Sequence, residues 1–153
     1  MISLMAFLCA CGAEKPPSQY KELKDIPELA EKDVPLSAPL QVNDLREGTG
    51  DTAQSGDTVL AHYTGWLYVN GARSTEFATS RGPNGQLLEV IIGETPVIKG
   101  WTQGLVGMKV GGVRQLIIPP ELGYGVSGKP PTIPPYSTLE YEIELHGIIK
   151  STK

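Results

Sequence analysis

Gly123 to Lys129 reads GYGVSGK, the glycine spacing and closing lysine of a phosphate-cradling loop. That chemistry needs Ser or Thr at the next position to hold magnesium, and a helix behind it. Pro130-Pro131 stand there instead, so phosphate transfer is not expected. Ser127 lacks the G-x-S-x-G elbow of a hydrolase nucleophile. His62 and His146 are the only histidines, and neither has a metal or acid–base motif nearby. They read as solvated or partly buried strand positions. Both cysteines, Cys9 and Cys11, fall in the first dozen residues, so no Cys/His zinc spacing exists. No metal and no cofactor is expected. What stands out instead is an array of aromatic and aliphatic residues in fixed local contexts.

These residues must be positioned mostly by strands. Val59 to Val69 is β-branched and aromatic, and Asn70-Gly71 follows as a turn pair. Leu88 to Ile92 stops at Gly93, and Val113 to Ile118 stops at Pro119-Pro120. Leu139, Tyr141, Ile143 and Leu145 alternate with Glu140, Glu142 and Glu144, which predicts one apolar face and one wet face. One segment has helical spacing: Ile98, Trp101, Leu105 and Met108 share a face, and Pro96 suits the first turn. Gly100 and Gly104 each weaken that helix by ~1 kcal/mol relative to alanine, so packing must hold it. The fold class expected is α+β, an antiparallel sheet wrapped around one short helix on its concave face.

Composition sets the outer bounds. The chain has 153 residues, 40% of them hydrophobic, with 18 glycines and 13 prolines. That suits one loop-rich globular domain plus a leader. A net charge of −4 argues against a nucleic-acid platform, which needs a basic face. No apolar run in the body approaches the ~20 residues of a membrane-spanning helix.

Five motifs occur in order: LAHYTGWL (60–67), FATSR (77–81), VIKGWTQGLVGM (97–108), IPPELGYG (118–125) and IPPYSTLEYEIEL (133–145). Together they closely resemble the FKBP-type peptidyl-prolyl cis-trans isomerases, from roughly Val42 to Ile149. The resemblance implies an apolar pocket for a prolyl ring. By it, Trp101 is the pocket floor, and Tyr63, Phe77 and Tyr141 are its walls. Val97 and Ile98 lie at one side, and Leu88 and Ile133 are flanking contacts. The Tyr124 hydroxyl and the Ile98 backbone N–H are the donors to substrate carbonyls. Proline-containing polypeptides are the implied partners and protein folding the implied role. The alternative is a non-catalytic module or chaperone that holds proline segments in the same cleft.

The sequence departs from that family at three places. Ala78 follows Phe77 where an aspartate is usual, which predicts weak macrolide binding and reduced but measurable activity. Leu88 stands where an aromatic is common. Lys129 and Thr132 alter the loop above the pocket.

The N-terminal residues carry a separate signal. Met1 to Ala10 is apolar and ends at Cys11-Gly12, as a secretory signal does. Leu8-Cys9-Ala10-Cys11 resembles a bacterial lipobox, which implies cleavage before Cys11 and a lipid on it. The domains expected are 1–11, a signal and lipobox segment; 12–40, a tether rich in proline and charge; and 41–150, the isomerase-like domain. Proline at 16, 17, 27, 35 and 39 interrupts any long helix in the tether, and a monomer is expected. The expected location is the cell envelope, lipid-anchored and facing the periplasm or outside. The other reading is an apolar N-terminus on a cytoplasmic chain.

Overall fold

The structure is a computed structural model, and it describes residues 38–152. The leader, Cys11 and nearly all of the tether lie outside the described residues. The elements are β1 (Gln41–Arg46), β2 (Thr58–Val69), β3 (Ala72–Thr79), β4 (Leu88–Ile91), α1 (Lys99–Leu105), β5 (Val113–Ile118), a 3₁₀ turn (Pro120–Leu122) and β6 (Thr138–Ile149). They form one six-stranded sheet in the order β1-β5-β6-β2-β3, with β4 also paired to β2. Every pairing is antiparallel.

The central strands β2 and β6 pair along their lengths, from Thr58↔Ile149 to Tyr68↔Thr138. β2 and β3 meet at Asn70-Gly71, both at positive φ (51° and 81°), the geometry of a tight hairpin turn whose twist suits the strands. The alternation in β6 places Leu139, Tyr141, Ile143 and Leu145 in the core with Leu116 and Ile118 of β5 and Val59 and Ala61 of β2. Each fully buried Leu or Ile favours the fold by about 1.5–3 kcal/mol relative to exposure.

The helix is short because the chain leaves it at Val106, which is extended. Trp101 and Leu105 are buried on it as the spacing predicts. Met108 is buried too, but three residues beyond the helix, after Gly107 turns the chain at φ 81°. The two helix glycines explain themselves by proximity. A methyl group on Gly100 would lie 2.5 Å from Ile118 Cγ2, and one on Gly104 would lie 2.5 Å from Leu116 Cδ1. Low helix propensity is the consequence of letting α1 lie directly on β5.

The sheet corrects one expectation. Glu142 and Glu144 are part-exposed, but Glu140 is only 1% exposed. Arg73 of β3 crosses the Trp66 ring at 4.2 Å and donates to Glu140 Oε1 at 2.6 Å. Gln115 of β5 donates to the same oxygen at 2.8 Å. A carboxylate buried without such donors would be strongly unfavourable, and these two make the position tenable. The period of two marks which face a residue takes. It does not reveal that a long arginine can roof a polar residue on that face.

β1 and β3 had no strong apolar alternation, and their burial shows why. All six residues of β1 are exposed, and β3 is exposed through Glu76. Both are edge strands, recruited by backbone pairing rather than by a buried face.

Candidate active site

Trp101 is projected from α1 into a cluster of rings. Its ring meets Tyr63 of β2 edge-on at 5.2 Å and 84°, and Tyr141 of β6 at 5.3 Å and 90°. Phe77 of β3 meets Tyr141 at 5.5 Å and 86°. Such edge-to-face pairs contribute about 0.5–1.5 kcal/mol each beyond burial. Tyr141 is the hub, touching all three other rings, with Tyr63 at 6.1 Å.

Local backbone features set these rings. The register of β2 with β3 pairs Gly65 with Ala78 and Trp66 with Glu76, which leaves Phe77 as the extra residue of a bulge. A bulge re-aims side chains, and here Phe77 and Ala78 both reach the same cavity. Gly65 leaves room for them: a methyl group there would lie 2.7 Å from Tyr141 Cε1 and 2.9 Å from Phe77 Cζ. Tyr63 is fixed through Ser80, whose Oγ accepts the Tyr63 N–H at 2.9 Å and whose N–H donates to the Tyr63 carbonyl at 2.9 Å. Gly65 and Ser80 are site-building residues that the sequence reading did not single out, although both lie in the quoted motifs.

The rings line a cavity of about 710 Å³, within the usual range for small-ligand sites. Tyr63, Phe77, Trp101 and Tyr141 form its aromatic part, and Leu88, Val97, Ile98 and Ile133 its aliphatic part. Tyr124 and Ala78 also line it. Every proposed pocket residue therefore meets in one place, while Cys11 lies outside the described residues. Lys99, Glu121, Lys129 and Thr132 add an exposed polar rim. Of these, Lys99 and Glu121 carried no signal in the sequence reading.

Two of the residues that line this apolar space, Ile98 and Tyr124, carry hydrogen-bond donors. Ile98 precedes α1 in an extended conformation (φ −59°, ψ 146°), and among the described residues no backbone carbonyl accepts its N–H. Its carbonyl does accept from Trp101, at 3.0 Å. Tyr124 sits after the 3₁₀ turn, where Gly125 N–H donates to Pro120 at 2.8 Å and Gly128 N–H donates to the Tyr124 carbonyl at 3.1 Å. Gly125 adopts φ 59° to make that turn. Burial, with the Tyr124 and Tyr63 phenols close by, pushes the Tyr141 hydroxyl well above the usual tyrosine range. It therefore remains a neutral O–H at physiological pH.

The histidines lie elsewhere, edge-to-face with each other at 5.2 Å on β2 and β6. His62 Nδ1 is 3.0 Å from Ser80 Oγ, and His146 is exposed. The loop at Gly123–Lys129 leads into a bridge between Lys129 and Ile133, not into a helix.

Residues 50–146 match the family model for FKBP-type peptidyl-prolyl cis-trans isomerase. An FK506-binding protein of Neisseria meningitidis serogroup B is 45% identical over 106 residues, covering 69% of this chain and 93% of that protein. The human peptidyl-prolyl cis-trans isomerase FKBP2 is 46% identical over 101 residues, covering 66% of this chain and 68% of that protein. Among solved structures, FkpA from Escherichia coli aligns with a TM-score of 0.61 at 38% identity, over 71% of this chain and 47% of that one. A peptidyl-prolyl cis-trans isomerase from Pseudomonas syringae pv. tomato aligns at 0.62 and 29% identity, over 72% and 76%. The described fold thus has counterparts in sequence and in three dimensions, and the chain belongs to the FKBP-type peptidyl-prolyl cis-trans isomerase family.

Proposed function

We propose that the cavity over Trp101 takes the proline ring of an X-Pro segment and accelerates rotation about its amide. The planar amide is held by resonance, with a barrier of about 18–20 kcal/mol. Resonance is lost when the bond twists, and the carbonyl becomes less polar. A water-poor wall of rings therefore disfavours the planar form relative to the twisted one. The Tyr124 hydroxyl and the Ile98 N–H donate to substrate carbonyls, and a donor placed for the twisted geometry supplies differential binding. No nucleophile or proton transfer enters the step.

The observation that carries this reading is the convergence of Tyr63, Phe77, Trp101 and Tyr141 on one cavity with Tyr124 at its edge. The test is cis-to-trans exchange in a short X-Pro peptide, followed by exchange NMR with and without the protein. Acceleration is expected. A folded protein without it leaves the binding-module reading, which Ala78 favours because it removes a polar group from the cavity wall. The same alanine is the reason to expect weak binding of FKBP-type macrolides. The protein is proposed to act as a monomer on proline-containing polypeptides.

The proposed setting is the cell envelope. Its support is the sequence Leu8-Cys9-Ala10-Cys11 behind an apolar run. Cleavage before Cys11 and lipidation of its thiol would leave the tether as a spacer between the bilayer and the domain. Mass spectrometry of the mature N-terminus decides it: an unmodified Met1 rules out the anchor.

A further inference from the structure

The rim of the cavity carries two ammonium groups, Lys99 and Lys129, and one carboxylate, Glu121. All three side chains belong to exposed residues, but they are not equally held. Lys129 is tied down at its base, where its N–H donates to the Ile133 carbonyl at 2.8 Å and the Ile133 N–H donates to the Lys129 carbonyl at 2.9 Å. Ile133 itself is buried, 2% exposed, so this bridge is anchored in the core. The other end is held too, with Nζ lying 5.7 Å from the centroid of the Tyr124 ring, within reach of a cation–π attraction. Among the described residues Lys129 has no carboxylate partner, whereas Lys109 and Lys150 each have one. Its charge is thus stationed on the face of a phenol that lines the cavity, and Glu121 on the same rim makes no ion pair with it.

The lining residue beside Phe77 is Ala78, so no carboxylate stands at that position of the cavity wall. A peptide whose proline sits over Trp101 must pass its neighbouring side chains across this rim. We infer that Lys129 makes the site selective for prolines flanked by an acidic side chain, an Asp-Pro, Glu-Pro, Pro-Asp or Pro-Glu segment. The inference rests on the isomerase reading above and adds the substrate class. Attraction at an exposed rim is modest and sensitive to salt. It sets preference among substrates, not whether the reaction occurs.

The experiment measures kcat/KM by exchange NMR on peptides that differ only at the residue before or after proline: Glu, the near-isosteric Gln, and Lys. At low salt the order Glu over Gln over Lys is expected at one of the two positions, with Glu over Gln by roughly two- to five-fold. Lys129→Met brings that ratio to one, Lys129→Arg restores it, and Lys129→Glu inverts it. Half-molar sodium chloride flattens it in the parent protein. A Glu/Gln ratio of one at both positions, or a ratio that survives in Lys129→Met, overturns the inference while leaving isomerase activity standing. Failure to accelerate the Gln peptides at all overturns both readings together. Circular dichroism of each variant confirms that the fold is retained before the ratios are compared.

Discussion

Arg114 of β5 grips Asp44 of β1 with two parallel hydrogen bonds, Nε to Oδ1 at 2.6 Å and Nη2 to Oδ2 at 3.0 Å. Its third nitrogen donates to the carbonyls of Gly104 and Val106, at 2.8 and 3.1 Å. Those carbonyls belong to the end of α1, where helical partners run out, and no basic residue of the helix itself serves them. One buried guanidinium therefore fastens an otherwise exposed edge strand to the sheet and closes the helix that carries Trp101.

Replacing it should cost both. Arg114→Met keeps most of the apolar stem but strands the two carbonyls and the Asp44 carboxylate. Hydrogen bonds to charged groups are worth about 1.5–3 kcal/mol each in the balance of folding. Since Asp44 is half-exposed and regains water, a loss of roughly 2–3 kcal/mol is expected. Urea unfolding measures it. A loss below roughly 0.5 kcal/mol, the scale of ordinary surface substitutions, would show that α1 does not depend on this residue.

Gly100→Ala sets two known effects against each other. Alanine raises helix propensity by about 1 kcal/mol, but its methyl would meet Ile118, which is fully buried and cannot swing away. Overpacking of a tight core costs about 1–3 kcal/mol. Packing should win, and the variant should unfold at lower denaturant than the parent. A more stable variant would mean that the helix can lift off β5 freely.

Much of the fold is legible in the sequence. The period-two run at Leu139–Leu145 and the helical spacing of Trp101 and Leu105 both report burial on one face, and burial is what the core enforces. The edge strands were silent because β1 buries no side chain. The bulge at Phe77 was also silent, since register is a property of two strands and not of one. Glu140 looked wet because its partner, Arg73, lies 67 residues away. The ring residues were found from their motifs. Gly65 and Ser80, which aim those rings, act through steric room and backbone hydrogen bonds that no side-chain type announces.

Gly65→Ala isolates that aiming role. The added methyl would press on Tyr141 and Phe77 at 2.7 and 2.9 Å, and both rings border the open cavity, so they can shift. The fold should persist while the pocket changes shape. A roughly tenfold or greater fall in kcat/KM on X-Pro peptides is expected, because one mispositioned contact of about 1.4 kcal/mol is a factor of ten. Unchanged kcat/KM would mean the rings need no such clearance.

Glu144 gives the sheet a pH dependence. Arg81 donates to it at 2.5 Å and Arg46 at 2.9 Å. These bonds, the Arg81 one foremost, hold its carboxyl at about 2 against the usual 4.5. A carboxyl depressed on folding contributes stability that is complete above its unfolded value and fades as pH falls through the folded one. Stability should therefore decline between about pH 4.5 and about pH 2. Glu144→Gln should flatten that part of the curve. An identical slope in parent and variant would assign the acid sensitivity to other groups, Asp57 first among them, since hydrogen bonds from the Ser151 N–H and Lys150 also lower its carboxyl.

Ala78→Asp restores the carboxylate usual in this family and tests what its absence does. Ala78 pairs with Gly65, and Tyr63 stands two positions from Gly65 on the same strand, so the two share a face of the sheet. An aspartate at 78 would present its oxygens to the phenols that line the cavity. Position 78 is half-buried, so the new carboxylate keeps part of its hydration. One added hydrogen bond of about 0.5–1.5 kcal/mol corresponds to roughly a two- to tenfold gain in kcat/KM. Macrolide affinity should rise by a similar factor in a direct binding titration. Tyr63→Phe in the Ala78→Asp background should remove the gain if Tyr63 is the donor. If Ala78→Asp leaves both activity and macrolide binding where they were, the polar gap at this position is not what limits the pocket.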